Sequence, residues 1–550
     1  MVLKKGFRVE PTNLRTGGQW AVDALAAEGV RHVFGIPGVH NLAIYDALPG
    51  QPGISHVLAR HEQGAAFMAD GYARASGAPG VVAVTTGPGA TNALTPLVES
   101  YASSVPVLLL MSDIPAALIG GNLGALHEVP NQIDCFRPVT RWAELVREGA
   151  GIAAAVQEAF TRFRSRRPGP IALSIPTDRL MAKVPGALHA RRGARPPCES
   201  ALIERAAALL RGARRPLVIT GGGVVAAGAE AELVALARRL DAPVITTVNG
   251  RGAMPETDPL WLGVLPNRLA TQPALEAADV ILAVGCRFAH RSTKGLLLNL
   301  ELRPEQKLIH LDLDPEEIGR LFKAEVGIAG DARDGLTGLL AALGAGAPAG
   351  TDWDRAALAR QRDARWPRWT ETDARLIRML RDALPPEGIV VNDQTGLNYW
   401  MEWHYPVLAP RTFLYPIGSA TLGYAVPAAI GAKIARPDRP VVAVVGDGGF
   451  LFSVGELATA VKYALGIVYL VLNDNRYGAI KYLQEAMFAG RWGEADLANP
   501  DFAALARAFG AEGHLVKQVD DLPRALARAL AHPGPTVLEL PVAIDPPWEL

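Results

Sequence analysis

Two aspartates, each closing a short apolar run, carry the clearest chemical signal in this chain. The run at 441–445 ends in Gly446-Asp447-Gly448-Gly449, and the run at 467–472 ends in Asn473-Asp474-Asn475. A helix-patterned stretch at 454–465 lies between them. Strand, helix and strand in that order make a right-handed crossover with the two strands parallel in one sheet. Both strand ends then open on the same edge, and the spacing predicts Asp447 and Asp474 facing one another there. Two carboxylates with a diphosphate suit Mg²⁺, a hard octahedral cation usually held by one or two carboxylates and phosphate oxygens. The glycines let backbone approach phosphate closely, and the helix that follows offers its first N–H groups to the anion. A GDG triplet by itself fits an ordinary α/β turn equally well; the paired strand-end carboxylates favour a site.

Such a site needs parallel strands to hold it, and the whole chain is patterned to supply them. Short β-rich apolar runs alternate with helical patterns throughout, which predicts an α/β fold of doubly wound parallel sheets. Two stretches interrupt the alternation. Residues 181–200 mix Pro, Gly, Ala and Arg, and residues 344–354 are small and rich in Gly and Pro. Read as linkers, they divide the chain into units at 11–180, 198–343 and 365–545. Ligands of open α/β sheets bind at the carboxyl ends of strands, so the Gly- and Asn-rich loops after the apolar runs are the informative ones.

Composition excludes several functions. Among 550 residues, Lys+Arg and Asp+Glu are both 55, so no charge excess draws the chain to nucleic acid or to an anionic membrane. The apolar runs are too short to span a bilayer, and the N-terminal stretch lacks the apolar core of a signal peptide. Cys135, Cys198 and Cys286 are too scattered for a disulfide framework or a zinc site, and the cytoplasm is the expected compartment.

The GDG motif and the Asn-bearing strand end resemble the thiamine-diphosphate motif, and the resemblance extends along essentially the whole chain. GIPG (35–38), RHEQGAAFMADGYARASG (60–77) and TTGPGATNA (85–93) resemble the pyrimidine-binding domain of acetolactate synthases. GSATLGYAVPAAIGA (418–432) resembles their diphosphate domain. The resemblance implies thiamine diphosphate and Mg²⁺ as cofactors. Asp447 takes the place of the first metal ligand. Asp474 stands where the family usually has Asn as the second, and the backbone carbonyl of Arg476 is the third. Asp for Asn adds a negative charge, for which Arg476 or Lys481 is the candidate offset. Glu62 matches the glutamate that hydrogen-bonds the aminopyrimidine ring and favours the imino tautomer; the imino group then removes the thiazolium proton to give the ylide. Cofactor contacts are implied for Pro37, Gly38, Thr85, Pro88 and Asn92 in the first unit. In the third they are implied for Gly396, Asn398, Gly418, Ser419, Gly446, Gly448, Gly449, Tyr477, Gly478, Ala479 and Ile480. Leu422 holds the place of the residue that wedges the cofactor into its bent shape.

On the substrate side the sequence departs from the family. Acetolactate synthases usually read Ala-Phe-Gln-Glu where this chain has Ala125-Leu126-His127-Glu128. His127, in place of a glutamine, is a candidate proton donor. His40 and Arg291 are candidate substrate contacts, Arg291 as a clamp on a carboxylate. Leu483 replaces the tryptophan that shapes the acceptor pocket. Leu265-Pro266-Asn267-Arg268 replaces the Met-His-Gly-Thr beside the flavin, so FAD is not expected. The expected activity is decarboxylation of a 2-oxo acid, with the product released as an aldehyde or ligated to a second carbonyl. A true acetolactate synthase catalytic subunit and a flavin-dependent 2-oxo acid oxidase are the alternatives. The loops at 35–40 and 126–128 also resemble those of guanidino-oxo-acid decarboxylases. In the family, Glu62 of one subunit faces Asp447 of another, which implies a homodimer or homotetramer.

Overall fold

A computed structural model describes residues 14–191, 193–293, 300–344 and 350–548. Part of the stretch at 344–354 and most of the N-terminal stretch lie outside the described residues. The chain divides into two compact units. The first comprises residues up to Asp70, Pro79–Arg164 and Pro168–Ala194; the second comprises Gly71–Ala78, Ser165–Arg167 and Arg195 onward.

The first unit is built on a six-stranded sheet in the order Ser55–Leu58, His32–Gly35, Gly80–Val84, Val107–Asp113, Ile171–Pro176, Trp142–Leu145. Every pairing in it is parallel. The central strands are continuous Val, Leu and Ile runs because helices cover both faces: all seven residues of Val107–Asp113 are buried. A separate antiparallel ribbon pairs Leu14–Thr16 with Lys183–Pro185. The second unit holds two more six-stranded parallel sheets. One runs Trp261–Val264, Val244–Thr246, Pro216–Thr220, Val280–Val284, Lys307–Asp312, Val326–Ala329. The other runs Phe413–Leu414, Ile389–Asn392, Val441–Gly446, Ile467–Asn473, Thr536–Pro541, Glu512–Leu515. The three parallel sheets make the chain α/β and doubly wound, as the alternating pattern implies.

Strand order decides where the chemistry sits. In the last sheet the chain leaves Ile389–Asn392 for the edge strand Phe413–Leu414, then returns to the other side at Val441–Gly446. That reversal leaves a crevice above the two strands. Gly446 pairs in register with Leu472, so Asp447 comes level with the carboxyl end of Ile467–Asn473. The first sheet has the same reversal between His32–Gly35 and Gly80–Val84, where Gly35 pairs with Ala83. The loops at 36–41 and 85–92 therefore rise side by side.

Candidate active site

The first unit gathers one connected patch at its reversal. Glu62 opens the helix Glu62–Ser76, where the unpaired N–H groups of the first turn favour a carboxylate. Its Oε2 accepts a hydrogen bond from Asn92 Nδ2 at 2.9 Å. Gly89 lies against it: a Cβ there would stand 3.3 Å from Glu62 Oε1 and 2.8 Å from Thr85 Cγ2. Gly38 closes the patch on the other side, where a Cβ would fall 2.7 Å from the Thr85 side chain. Asn41 fixes that loop by accepting from Gly38 N at 2.7 Å and donating to Ile36 O. Pro37 and Pro88 are exposed at the rim. Tyr45 donates to Ala83 O beneath the loop, and its hydroxyl pKa is pushed up by burial and then by the charge of Glu62.

His127 joins the same patch. Its φ is +63°, and its backbone presses on Gly87, where a Cβ would sit 2.5 Å from His127 O. Gly87, itself at φ +65°, is the one residue type that turns this corner without strain. Gln132 holds the corner by accepting from Gly87 N and Thr86 Oγ1, both at 2.7 Å. Glu128 folds the loop by accepting from Leu123 N and Ala125 N. The rings of His127 and His40 stand 5.5 Å apart, centroid to centroid. His40 is buried, and burial followed by the neighbouring His127 lowers its pKa, which favours the neutral ring. His40 Nδ1, His127 Nδ1 and Thr85 Oγ1 are all buried without a hydrogen-bond partner. Unsatisfied buried donors and acceptors are costly, so three on one patch mark a place for a polar ligand.

The second unit carries the aspartates. Asp447 is 3% exposed. Its Oδ1 accepts from Gly448 N at 2.8 Å; its Oδ2 accepts from Asn499 Nδ2 at 2.7 Å and from Arg476 N at 3.3 Å. Burial raises its pKa, and the charge of Asp474 raises it further. Arg476 links the two carboxylates, its backbone N–H on Asp447 and its guanidinium on Asp474. Asp474 Oδ2 is paired with Arg476 Nε at 2.8 Å. The surrounding glycines have no room for a side chain. A Cβ would meet Thr395 Oγ1 at 3.0 Å from Gly446, the Tyr477 ring at 2.5 Å from Gly448, and Asp474 Oδ2 at 3.0 Å from Gly478. At Gly449 it would meet Asp393 Oδ1 at 2.9 Å.

Asp393, upstream of the expected contacts at Gly396 and Asn398, does more than its position announces. It is fully buried and accepts from Gln394 N, Gly423 N and Ala425 N, which ties the Leu422 loop to the end of Ile389–Asn392. Asn398 is also fully buried, and its amide donates to Asp393 O and Val444 O. It braces two strand ends, with Oδ1 left unpartnered. Gly396 packs against backbone, a Cβ there falling 1.9 Å from Ile544 O. Leu422 and Ser419 are half-buried and Gly418 is exposed. Tyr477 N donates to Ala495 O, which opens the helix Gly478–Met487. That helix buries none of its residues; Ile480 is 51% exposed, and Ala479 and Leu483 are half-buried.

Arg291 is not free to clamp a substrate carboxylate in this conformation. It faces the buried carboxylate of Glu402 at 3.4 Å. Asn499 and Gln132 carry no signal in the sequence. Both act as braces through side-chain amides, and neither sits in a recognisable spacing.

Comparison with known proteins supplies the family. The N-terminal thiamine pyrophosphate binding domain of the thiamine pyrophosphate enzymes matches residues 15–135. Their central domain matches residues 203–339, and their C-terminal thiamine pyrophosphate binding domain matches residues 393–540. The chain is 41% identical to the probable 2-ketoarginine decarboxylase AruI of Pseudomonas aeruginosa, over 97% of this chain and 95% of that protein. It is 35% identical to the acetolactate synthase isozyme 2 large subunit of Escherichia coli, over 96% and 95%. With the probable acetolactate synthase large subunit of Methanocaldococcus jannaschii it shares 34% identity over 96% and 92%. Three matched domains and full-length relatives place this chain in the acetolactate-synthase-like thiamine pyrophosphate enzymes.

Proposed function

We propose that this enzyme uses thiamine diphosphate and Mg²⁺ to decarboxylate a 2-oxo acid with a long polar side chain and releases mainly the aldehyde. The observation that carries the release step is the His40–His127 pair, with two unpartnered buried nitrogens on the same patch as Glu62.

The residues fit the cofactor. Asp447 and Asp474 are an oxygen donor set suited to Mg²⁺, with the Arg476 carbonyl as the third ligand. Gly446, Gly448, Gly449 and Gly478 pack so closely against Thr395, Tyr477, Asp393 and Asp474 that no side chain fits beside the two strand ends. Among the described residues no three His, Cys, Asp or Glu side chains gather in metal-holding geometry. A cation held here therefore draws its remaining ligands from backbone and phosphate. Bound thiamine diphosphate would supply a carbon nucleophile for the 2-oxo group and a cationic ring as the sink for the electron pair left behind by CO₂. Glu62, fixed by Asn92, is the carboxyl that would hold the pyrimidine ring. Turning a 2-oxo acid anion into an aldehyde and CO₂ consumes one proton. A glutamine at position 127 would offer only a hydrogen bond, whereas the His127 ring can deliver that proton.

Identity to the 2-ketoarginine decarboxylase, and Leu483 in place of a tryptophan, support a long substrate such as a guanidino 2-oxo acid. The sequence at Leu265–Arg268 supports activity without FAD. Exposed apolar residues support a homodimer or homotetramer in which the two half-sites meet across subunits. Val39, Leu42, Leu123 and Leu126 stand out on the first unit, and Ile480, Met487, Phe488 and Trp492 on the second. The units at 11–180, 198–343 and 365–545 remain our division into pyrimidine-binding, central and diphosphate-binding domains. Three free cysteines support a cytoplasmic location, and no helix among the described residues is long and apolar enough to cross a membrane.

The test is a 2-oxo acid panel in which CO₂ release and product mass are measured together. Aldehyde as the main product from a long polar acid supports the reading. Acetolactate from pyruvate as the main product refutes it.

A further inference from the structure

Asp474 poses a charge problem. Where relatives usually place a neutral amide, this chain puts a second carboxylate beside Asp447, in a site meant for a diphosphate. Two cations are close enough in sequence to compensate, Arg476 and Lys481, and the structure separates them. Lys481 is committed elsewhere: its Nζ pairs with Asp496 at 3.2 Å and lies 3.4 Å from the centroid of the Trp492 ring. Arg476 is committed to the site. Its Nε holds Asp474 Oδ2 at 2.8 Å, while its own backbone N–H reaches Asp447 Oδ2 at 3.3 Å. Asn475, at φ +56°, makes the turn between Asp474 and Arg476. Gly478 leaves the space that the paired oxygen occupies, since a Cβ there would stand 3.0 Å from it.

We infer that Arg476 is a positioning residue that makes Asp474 behave as the amide it replaces. With Oδ2 taken by the guanidinium, Asp474 keeps Oδ1 for a metal, a single oxygen like that of an asparagine. Two carboxylates and one guanidinium leave the same net charge as one carboxylate and one amide. Arg476 also lines a polar cavity of about 540 Å³ with Arg368, Lys481, Tyr482, Glu485 and Asp545, and of the two candidate cations it is Arg476 that pairs with Asp474. Water reaches the pair from that side, so its effect on affinity is moderate. The inference rests on the proposed cofactor site at the two strand ends.

The experiment is a double-mutant cycle read by calorimetry. Thiamine diphosphate is titrated at saturating Mg²⁺ into wild type, Arg476→Gln, Asp474→Asn and the double variant. Arg476→Gln strands a carboxylate beside the diphosphate and should weaken binding about five- to tenfold. Asp474→Asn should bind within about twofold of wild type, and the double variant should recover to the same level. Arg476→Lys restores the charge without the fork and should fall between. If the double variant binds as weakly as Arg476→Gln, or if Arg476→Gln binds like wild type, the inference is wrong. Melting of each apoprotein checks folding; should Arg476→Gln not fold, wild-type affinity in Arg476→Lys together with tighter binding in Asp474→Asn would refute the inference. Asp447→Ala tests the underlying reading separately. Retained binding there would remove the cofactor site itself, whereas a flat cycle removes only the role of Arg476.

Discussion

At the residue scale, two side chains of the first unit carry the proposed proton transfers. Glu62 is held by Asn92 at a part-exposed helix start, so Glu62→Gln should fold with stability changed by less than about 1 kcal/mol. Its activity should drop by roughly 10²–10⁴-fold, because an amide cannot share a proton with the pyrimidine ring as a carboxyl does. Steady-state rates beside a melting curve check this; near-wild-type turnover would remove Glu62 from the chemistry. For His127→Gln the expected outcome is a smaller share of aldehyde and a larger share of ligated product, read by mass spectrometry. An unchanged ratio would leave His127 as a loop residue. These two positions were legible in the sequence because motifs surround them. His40 stood just after GIPG, but its pairing with His127 depends on two loops that rise together only once the sheet order is fixed. Asn92 and Asn398 were expected to touch the cofactor directly. In the structure half-buried Asn92 donates to Glu62, and buried Asn398 donates to two backbone carbonyls.

At the element scale, the strand-end loops were predictable and their supports were not. Parallel pairing follows from the β-α-β pattern, so Asp447 and Asp474 on one edge were written in the sequence. Asn499, which reaches both Asp447 and Asn473, comes from a loop beyond the helix Gly478–Met487 and follows no spacing rule. Close packing of a loop on a helix start gives a sharp prediction. Gly396 opens the helix Gly396–His404 against Ile544 O, so Gly396→Ala must displace backbone and should cost about 1–3 kcal/mol, seen as a lower melting temperature. The far end of the same helix yields a pH effect. His404 packs among Trp369, Trp400 and Trp403, and burial lowers its pKa to about 3. The unfolded chain therefore binds a proton at His404 that the folded chain refuses. Stability from this residue is intact above about pH 6.5 and falls as the pH drops toward 3, by up to about 1.4 kcal/mol per pH unit. Denaturant melts between pH 7 and 5.5 should show a smaller loss for His404→Phe than for wild type. Equal losses would assign the acid sensitivity to other groups.

At the scale of the whole molecule, three parallel sheets lie in two compact units, and each proposed half-site stands at the reversal of its own sheet. The alternating pattern made the three sheets legible. The grouping of the second and third sheets into one compact unit was not, because it depends on long-range packing. One such tie is the buried pair of Arg251 with Glu256, whose guanidinium also reaches the carbonyls of Met401 and Glu402. The proposed meeting of the two half-sites across subunits predicts an oligomer, which sedimentation at assay concentration should register as a dimer or tetramer. A purely monomeric active enzyme would contradict that.

Cofactor-dependent decarboxylation is decided by one measurement. Apoprotein stripped by chelation and dialysis is supplied with a guanidino 2-oxo acid, and CO₂ is followed with thiamine diphosphate, Mg²⁺, both or neither. The account predicts release only when both are present, one aldehyde for each CO₂, with no flavin in the purified protein. Release without thiamine diphosphate, or no release from any 2-oxo acid when both are bound, would contradict it.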